Sequence, residues 1–365
     1  MKIGITGAPG MLGWHLRCYL RQFADVEVLP ADRSLFSSSE AMDRFVNEVD
    51  AIAHLAGQNR GDDGEIAATN VSLAESLVSA CERNHRTPHV VYSSTIHIEK
   101  DNAYGRSKRE AGEILDDWAQ RSGAKYSELV LPHIYGEGTR PHYNSVVATF
   151  SHQLANGEEP TIHSDGQLEL LHAQEVSAEI YQQLREETTG QSHPRGTLIR
   201  VSEVLEKLKG FSQSYAELVI PDLRDKFDLR LFNVYRFYLF PNAYPTALTK
   251  NTDARGSLVE MVKNRNGGQA FFSTTEPGIT RGDHFHYEKI ERFLVVRGRA
   301  RISIRRLYAD RAVEFDVSGD EPAFIDMPTL HTHNITNTGD DELLTLFWSS
   351  EIFDPERPDT LAEPV

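Results

Sequence analysis

Residues 2–13, KIGITGAPGMLG, join a short apolar run to a turn that carries a glycine at every third position. The run predicts the buried first strand of a parallel sheet, and the glycines predict a tight turn, close approach to a pyrophosphate and close packing of the next helix. That helix would direct unpaired N–H groups and its positive dipole end at the phosphates. By itself the pattern is also compatible with an ordinary tight turn. The predicted dinucleotide contacts are Gly7, Gly10, Met11, Leu12 and Gly13.

Length and composition restrict the class of protein. The chain has 365 residues, more than a single core usually supports, which favours two domains. It contains no long apolar run and begins directly with a strand, so we expect neither a membrane span nor a signal peptide. The two cysteines, Cys18 and Cys81, lie in predicted helices, which is typical of a cytoplasmic protein. A formal net charge of −16 argues against a nucleic-acid partner.

The first part of the chain alternates short apolar strands with amphipathic helices. After the first strand, further strands are predicted at 26–31, 50–55, 89–92 and 126–131. This order predicts an α/β domain with a Rossmann-type, doubly wound parallel sheet. Ligands of such sheets bind beyond the carboxyl ends of the strands. We therefore expect the cofactor to contact the small residues Leu55, Ala56 and Gly57 at the end of the third strand.

The end of the second strand bears on the choice between NAD and NADP. An acidic residue at this position favours a free ribose 2′-hydroxyl, whereas an arginine accommodates a 2′-phosphate. Here Asp32 and Arg33 stand side by side. We favour NADP(H) bound through Arg33, because Asp32 could equally cap the next turn.

Beyond residue 132 the alternation of strands and helices loosens, and a different pattern begins near residue 244. Helices are predicted at 145–156, 172–185 and 201–208, as a small substrate lobe. Two prolines favour a linker at Phe237–Thr246. Short β-type segments then follow one another from Leu258–Lys263 onwards, which predicts an all-β jelly roll. The predicted domains are therefore 1–243 and 244–365.

Tyr104 and Lys108 form the first candidate catalytic group. They lie four residues apart at the start of a predicted helix, so both side chains project from one face. A nearby ammonium favours the phenolate, so we expect Lys108 to lower the pKa of Tyr104 and make it a proton donor to a carbonyl. Thr95, at the end of the fourth strand, would orient the same carbonyl, with Ser94 as the alternative hydroxyl. A Tyr-x-x-x-Lys spacing alone also occurs by chance.

A second candidate site lies in the β-type region. His284 and His286 are two residues apart on a predicted strand, Glu291 follows, and His333 comes from a later strand. Three imidazoles and one carboxylate suit zinc, iron(II), manganese or nickel by ligand type. Structural histidines on a polar barrel face are the alternative interpretation.

These motifs resemble two known families. Residues 1–240 resemble the extended short-chain dehydrogenases/reductases, through the glycine turn, His54-Leu55-Ala56-Gly57, Asn70, Ser93-Ser94-Thr95 and Tyr104-x-x-x-Lys108. The later region is similar to the two cupin motifs. The matching positions are Gly278, His284, His286, Glu291 and Gly298, then Gly319, Pro328, His333 and Asn337, with Leu330 where glycine is usual. A reductase followed by a cupin resembles the bifunctional capsular-polysaccharide epimerase/reductases.

This resemblance implies an activity. A zinc-bearing cupin domain would epimerise C3 of a UDP-4-keto-6-deoxy-N-acetylhexosamine, and the N-terminal domain would reduce the C4 ketone with NADPH. The product would be UDP-N-acetyl-6-deoxy-L-talosamine, on the route to UDP-N-acetyl-L-fucosamine, made by a homodimer joined through its cupin domains. The acid/base candidates in the cupin are Tyr287, Lys289 and His331, and the candidate diphosphate or cofactor contacts are Arg60, Arg140 and Arg281.

Two other functions remain compatible with the sequence. A nucleotide-sugar 4,6-dehydratase or 4-epimerase would keep NAD tightly bound and show no net oxidation. Dehydratases usually carry acidic residues directly after the strand-four hydroxyl, whereas Ile96 and His97 stand here. A non-catalytic NADP sensor with a metal cupin would tend to lose the Tyr/Lys pair, which is intact.

Overall fold

The computed structural model describes residues 1–248, 250–253, 256–259, 262–264, 267–351 and 354–365, with side chains omitted for 250–253, 256–259 and 264. The chain forms two compact units. The first unit comprises Met1–Gly136 and Gln167–Ile199, and the second unit comprises Glu137–Gly166 and Arg200–Val365. Among the described residues, no helix is both long and apolar enough to cross a membrane.

The helices of the described chain are α1 (Met11–Leu20), α2 (Ser39–Glu48), α3 (Asp63–Arg83), α4 (Ala103–Ser122), α5 (Val146–Ala155), α6 (Ala173–Glu186), α7 (Val201–Ala216) and α8 (Lys226–Leu239). Short 3₁₀ helices lie at Arg33–Ser37 and Ile96–Glu99. The strands of the first half are β1 (Lys2–Thr6), β2 (Glu27–Ala31), β3 (Ala51–His54), β4 (His89–Thr95), β5 (Tyr126–Leu131), β6 (His133–Tyr135), β7 (Gln167–His172), β8 (Gly190–Ser192), β9 (Thr197–Arg200) and β10 (Val219–Ile220).

The remaining strands belong to the second unit. They are β11 (Thr246–Ala247), β12 (Lys250–Asp253), β13 (Gly256–Val259), β14 (Lys263–Asn264), β15 (Gln269–Thr275), β16 (Thr280–Phe285), β17 (Glu291–Arg297), β18 (Arg299–Arg306), β19 (Val313–Ser318), β20 (Ala323–Met327), β21 (His331–Asn337), β22 (Leu343–Ser349) and β23 (Leu361–Ala362).

A six-stranded parallel sheet, in the order β2-β1-β3-β4-β5-β8, organises the first unit. Neighbouring strand residues face opposite layers, since Ile52 packs with α2, α3 and α4 while Ala51 packs with α1 and α6. The predicted doubly wound fold is confirmed. Thr6 is in register with His54, and Thr95 is in register with Leu131, so the predicted motifs end at one edge of the sheet.

Two five-stranded sheets organise the second unit, in the orders β11-β20-β17-β22-β15 and β19-β18-β21-β16-β23. Pairing within them is antiparallel. Their inner faces share one core, in which Phe293 and Phe347 of the first sheet meet Ile302 and Ile335 of the second. The predicted all-β region is confirmed, and the domain boundary at 243/244 remains a prediction.

The predicted linker at Phe237–Thr246 was wrong over its first residues, because α8 continues to Leu239. The alternation of apolar and polar residues does not reveal α8 as a helix, because the polar residues Arg230, Asn233 and Arg236 are buried together with its apolar residues. Arg236 donates to the carbonyl of Met327 at 3.0 Å, which satisfies its buried charge in part. Part of the strand predicted at Leu258–Lys263 lies outside the described residues, at 260–261.

Candidate active site and candidate metal centre

The glycine turn after β1 has the geometry that only glycine permits. Gly7 has a φ of 70°, and a Cβ added to it would lie 2.8 Å from the amide nitrogen of Ala56. A Cβ on Gly13 would lie 2.7 Å from the Cα of Ala8, so α1 packs directly on the turn. Leu55, Ala56 and Gly57 follow β3 beside this turn. The predicted dinucleotide residues therefore meet at one edge of the sheet, and the backbone forms a cradle that a Cβ would fill.

Thr6 and His54, which sequence reasoning did not single out as functional residues, brace this cradle. The Thr6 hydroxyl accepts from the amides of Leu55 and Ala56, at 3.2 and 3.3 Å, and lies 2.8 Å from Nδ1 of His54. Burial, together with the charge of Lys108, lowers the pKa of His54 to about 3, so its ring is neutral. Both residues stand at strand ends, and this position is the feature of the sequence that could have indicated their role.

The end of β2 places Asp32 and Arg33 differently from each other. The Asp32 carboxylate accepts from the amide and hydroxyl of Ser34, at 2.8 and 2.6 Å, and caps the 3₁₀ helix that follows. Asp32, with Arg17 and Arg44, lines a cavity of about 480 Å³ beside the glycine turn. Arg33 is exposed and is not part of that lining. The capping role considered for Asp32 is thus present, and the cofactor role of Arg33 stays a prediction.

Tyr104 and Thr95 come together, as action on one carbonyl would require. The Thr95 hydroxyl forms a hydrogen bond with the Tyr104 phenol and also accepts from the amide of His97 at 3.3 Å. Because the hydroxyl accepts the His97 N–H, its own proton is available to the phenol or to a ligand. Ser94, the alternative hydroxyl, is buried one residue earlier.

Lys108 shares this region but does not act on Tyr104 as predicted. Burial raises the pKa of Tyr104, and the bond from Thr95 opposes that rise only in part. Lys108 is 4% exposed, and its Nζ lies 4.1 Å from the centroid of the Tyr92 ring. Burial lowers the pKa of Lys108 to about 7. The expected lowering of the Tyr104 pKa was wrong for this structure, because desolvation of the phenol outweighs the other effects.

Asn70 and Gly57 shape the surroundings of Lys108. The Asn70 side chain accepts from the amide of Gln58 at 2.8 Å and donates to Ser107 at 2.9 Å, which ties α3 to α4. A Cβ on Gly57 would lie 3.1 Å from Oδ1 of Asn70 and 3.8 Å from Nζ of Lys108. Small size at position 57 therefore leaves room beside the ammonium.

Gly105 is a residue whose importance sequence reasoning missed. A Cβ there would clash with the carbonyl oxygen of His97 and lie 2.7 Å from that of Lys100. The start of α4 can therefore rest on the 3₁₀ helix only if glycine follows Tyr104.

The four predicted metal ligands form one cluster in the second unit. The ligand atoms of His284, His286, Glu291 and His333 all lie within 4.8 Å of one another. His284 of β16 is paired with His333 of β21, next to a register shift in β16. Glu291 opens β17 in the other sheet, and His286 follows β16 directly. The two sheets thus each supply ligands to one point.

The electrostatics of the cluster suit a cation. Nε2 of His286 lies 2.9 Å, and Nε2 of His333 3.6 Å, from Oε2 of Glu291. Burial raises the pKa of Glu291, but the two imidazoles outweigh it and hold that pKa well below its usual range. Burial lowers the pKa of His333 and that of His284, the latter to about 4. An ionised carboxylate beside imidazoles whose charged form burial disfavours, as in His284 and His333, fits a divalent metal.

A cavity of about 390 Å³ opens beside the cluster and is lined in part by His284, Glu291 and three phenylalanines. Lys289 also lines it, with Nζ 3.8 Å from Oε1 of Glu291. The other two acid/base candidates, Tyr287 and His331, are buried outside the lining of this cavity. His331 instead packs its ring against Phe237 and Phe240.

The three candidate arginines lie in three places. Arg281 is exposed on β16 and lines the cavity beside the metal cluster. Arg140 is exposed and lies with its guanidinium 5.5 Å from the centroid of the Tyr143 ring. Arg60 is exposed in the loop after β3.

Leu330, which departs from the cupin pattern, has a φ of 59°, the left-handed conformation that glycine favours.

The chain matches known families in both of its parts. Residues 3–194 match the NAD dependent epimerase/dehydratase family, and residues 251–361 match the polysaccharide biosynthesis C-terminal domain. The UDP-2-acetamido-2,6-beta-L-arabino-hexul-4-ose reductase of Pseudomonas aeruginosa is 33% identical, over 99% of this chain and 98% of that protein.

Solved structures give the same grouping. The capsular polysaccharide assembling protein CapF of Staphylococcus aureus is 33% identical, with a TM-score of 0.65 and complete coverage of both chains. The UDP-glucose 4-epimerase of Thermus thermophilus, solved with NAD, is 20% identical with a TM-score of 0.52, covering 58% of this chain and 84% of its own, and supports the fold alone. The chain therefore belongs to the NAD-dependent epimerase/dehydratase family, in the two-part form that CapF represents.

Proposed function

We propose that this chain is a bifunctional nucleotide-sugar enzyme. Its second unit epimerises C3 of a UDP-4-keto-6-deoxy-N-acetylhexosamine, and its first unit reduces the C4 ketone with NADPH. The product is UDP-N-acetyl-6-deoxy-L-talosamine, a precursor on the route to UDP-N-acetyl-L-fucosamine. The full-length relative from Pseudomonas aeruginosa supports this substrate class, because its name describes a UDP-linked hexul-4-ose reductase.

One observation carries the reductase assignment. Thr95, Tyr104 and the buried Lys108 stand together at the strand ends where the glycine turn forms a cradle for a dinucleotide. A bound nicotinamide would supply the hydride for C4. Tyr104 then donates its phenolic proton to the C4 oxygen, while Thr95 donates a hydrogen bond that holds the same oxygen. Lys108 is assigned to binding a ribose hydroxyl of the cofactor, because no effect of its charge on Tyr104 accompanies the raised pKa of that phenol.

Proton transfer at C3 is assigned to the second unit. The C4 ketone acidifies the neighbouring C3–H, so a base on one side and an acid on the other can invert this carbon. Lys289 is the acid/base residue that we propose, because it lines the cavity next to the cluster. His284, His286, Glu291 and His333 would hold a divalent metal, zinc being our choice, which would polarise a carbonyl oxygen in the cavity. Reduction at C4 removes the ketone and prevents reversal.

The competing functions differ in their use of cofactor. A 4,6-dehydratase or 4-epimerase would recycle tightly bound NAD, and a sensor would bind NADP without turnover. Ile96 and His97 after Thr95 disfavour a dehydratase, and the preserved Tyr104 disfavours a sensor. Homodimer formation through the all-β domains and a cytoplasmic location remain part of the proposal.

Incubation with a UDP-4-keto-6-deoxy-N-acetylhexosamine and NADPH in deuterated water tests both halves. We expect one NADPH to be consumed per sugar, and solvent deuterium at C3 of the product. Deuterium at C3 without consumption of NADPH would contradict the reductase assignment. Consumption of NADPH with hydrogen retained at C3 would contradict the epimerase assignment.

A further inference from the structure

The C-terminal segment lies along β16, the strand that carries His284 and leads directly into His286. β23 pairs with β16, with Ala362 opposite His284 and Leu361 opposite Phe285. The amide of Glu363 also donates to the carbonyl of Asp283 at 2.8 Å. The ligand strand is therefore held on one edge by β21 and on the other by the end of the chain.

Asp359, just before β23, contacts the ring of His286. Nδ1 of His286 lies 2.6 Å from the carbonyl oxygen of Asp359. A carbonyl can only accept, so Nδ1 must carry a proton, and in the neutral ring the lone pair is then on Nε2. Nε2 is the nitrogen that points towards Oε2 of Glu291, at 2.9 Å. This contact selects the tautomer that a metal ligand requires.

The Asp359 carboxylate fixes the loop between His286 and β17. Its Oδ1 accepts from the amide of Tyr287 at 2.8 Å, and its Oδ2 accepts from the amides of Glu288 and Lys289, at 2.8 and 2.7 Å. Three N–H donors around one carboxylate form a rigid anchor, because each bond is assisted by the charge. The φ of Asp359 is 36°, in the left-handed region that aspartate and asparagine tolerate better than most residues.

Neighbours of Asp359 also hold the side chain of Lys289. Its Nζ donates to the carbonyl of Pro358 at 3.1 Å and to the hydroxyl of Thr360 at 2.9 Å. The same short segment thus contacts a metal-site histidine through Asp359 and the proposed acid/base residue through Pro358 and Thr360.

We infer that Asp359 is a positioning residue of the metal centre, which orients His286 through its carbonyl and fixes residues 287–289 through its carboxylate. The inference rests on the proposed metal site. It gives the C-terminal segment a part in metal binding, in addition to closing the sheet. Outer residues that orient a ligand commonly change metal affinity about tenfold to a hundredfold.

Asp359→Asn is the variant that tests this role in the full-length protein. Asparagine has nearly the same volume as aspartate and tolerates the same backbone conformation. Its side-chain NH₂ group, however, replaces one acceptor oxygen with a donor that would face the backbone N–H groups of residues 287–289. Asp354→Asn is the matched control. The Asp354 carboxylate also accepts from a backbone amide, that of Glu356 at 2.9 Å, but this amide does not belong to the loop beside the candidate metal ligands.

Metal-free protein should be titrated with Zn²⁺ in competition with a chromophoric chelator, and with Co²⁺ followed by visible absorption. We expect Asp359→Asn to bind Zn²⁺ about 10–100-fold more weakly and to change the Co²⁺ spectrum, while Asp354→Asn matches the wild type. The thermal midpoint of the metal-free proteins separates this effect from stability. A purely structural role would lower the midpoint but leave the affinity and the spectrum of the folded protein unchanged.

The Zn²⁺ titrations test the metal site and the role of Asp359 separately. If the wild type binds no Zn²⁺, the metal site itself is wrong. If the wild type and Asp359→Asn bind Zn²⁺ equally well, the role of Asp359 alone is wrong. Should the asparagine variant fail to fold, Asp359→Glu serves instead, because its longer side chain cannot bond all three amides. Weaker Zn²⁺ binding by that variant supports the inference, and unchanged binding overturns it.

Discussion

The two candidate sites of this chain are assembled in different ways. In the first unit, the residues follow the ends of neighbouring parallel strands, as Thr6, His54 and Thr95 do. Any doubly wound sheet brings those ends to one edge, so topology alone gathers the site. In the second unit, the candidate metal ligands come from both antiparallel sheets and meet only because the cross-strand register is correct. A shift of one residue there would turn the histidines away.

The two sites also carry buried charges of opposite sign. Lys108 is a buried cation, and burial lowers its pKa to about 7. Glu291 is a buried anion, because the neighbouring imidazoles of His286 and His333 hold its pKa below the usual range in spite of burial. A buried cation favours a ligand with hydroxyl or phosphate oxygens, whereas a buried anion favours a metal ion. The comparison therefore predicts that each site can be disabled without affecting the ligand of the other.

Tyr104→Phe should produce the largest effect. Loss of the phenolic proton donor is expected to lower kcat/KM for NADPH oxidation about 10²–10⁴-fold. The measurement is the decrease in NADPH absorbance with a UDP-4-keto-6-deoxy sugar. Exchange of deuterium into C3 should continue, because the phenylalanine leaves the second unit unchanged. Turnover equal to the wild type would remove Tyr104 from the mechanism.

His284→Ala is the reciprocal test. Loss of a direct ligand should weaken Zn²⁺ binding by more than about 100-fold, beyond the effect of an outer residue. Metal analysis of the purified protein should report less than one equivalent, and deuterium exchange at C3 should fall with it. NADPH binding should match the wild type. A full equivalent of zinc in this variant would refute the cluster as the metal site.

The contrast between the sites also explains how far the sequence could be interpreted. The glycine turn, Tyr104 and Lys108 are local motifs whose spacing reflects one turn or one helix, so they could be identified directly. The four candidate metal ligands could be grouped because their spacing is specific, and the structure brings them together. Asp359 could not, because it lies more than seventy residues from His286 and acts through a backbone carbonyl that no residue type reveals. Burial was equally hidden, and it reversed the expected effect on the pKa of Tyr104.

The pH dependence of NADPH binding sharpens the role of Lys108. Burial lowers the pKa of Lys108 from the ordinary lysine value to about 7 in the folded protein, so the ammonium is present below pH 7 and is lost as pH rises. If the ammonium binds the cofactor, the Kd for NADPH should increase about tenfold between about pH 7 and pH 9. Lys108→Met should bind weakly at every pH, at the level that the wild type approaches at high pH. If the Kd for NADPH rises equally with pH in the wild type and in Lys108→Met, a group other than Lys108 causes the pH dependence.

The smallest expected effect concerns the choice of cofactor in the first unit. The Asp32 carboxylate is engaged by Ser34, which leaves the exposed Arg33 as the predicted contact for a 2′-phosphate. An exposed charge pair contributes about 1 kcal/mol, so Arg33→Ala should lower the preference for NADPH over NADH about fivefold. The measurement is the ratio of kcat/KM with NADPH to kcat/KM with NADH, in the wild type and in the variant.

Arg44→Ala is the matched variant, because Arg44 lines the cavity beside Asp32 whereas Arg33 does not. If Arg33→Ala changes the cofactor ratio and Arg44→Ala does not, the strand-end arginine determines the preference as the sequence predicts. If only Arg44→Ala changes it, the contact comes from the wall of the cavity, and the motif at the end of β2 indicates the right region but the wrong residue. Neither variant should change Zn²⁺ binding, because both arginines belong to the first unit.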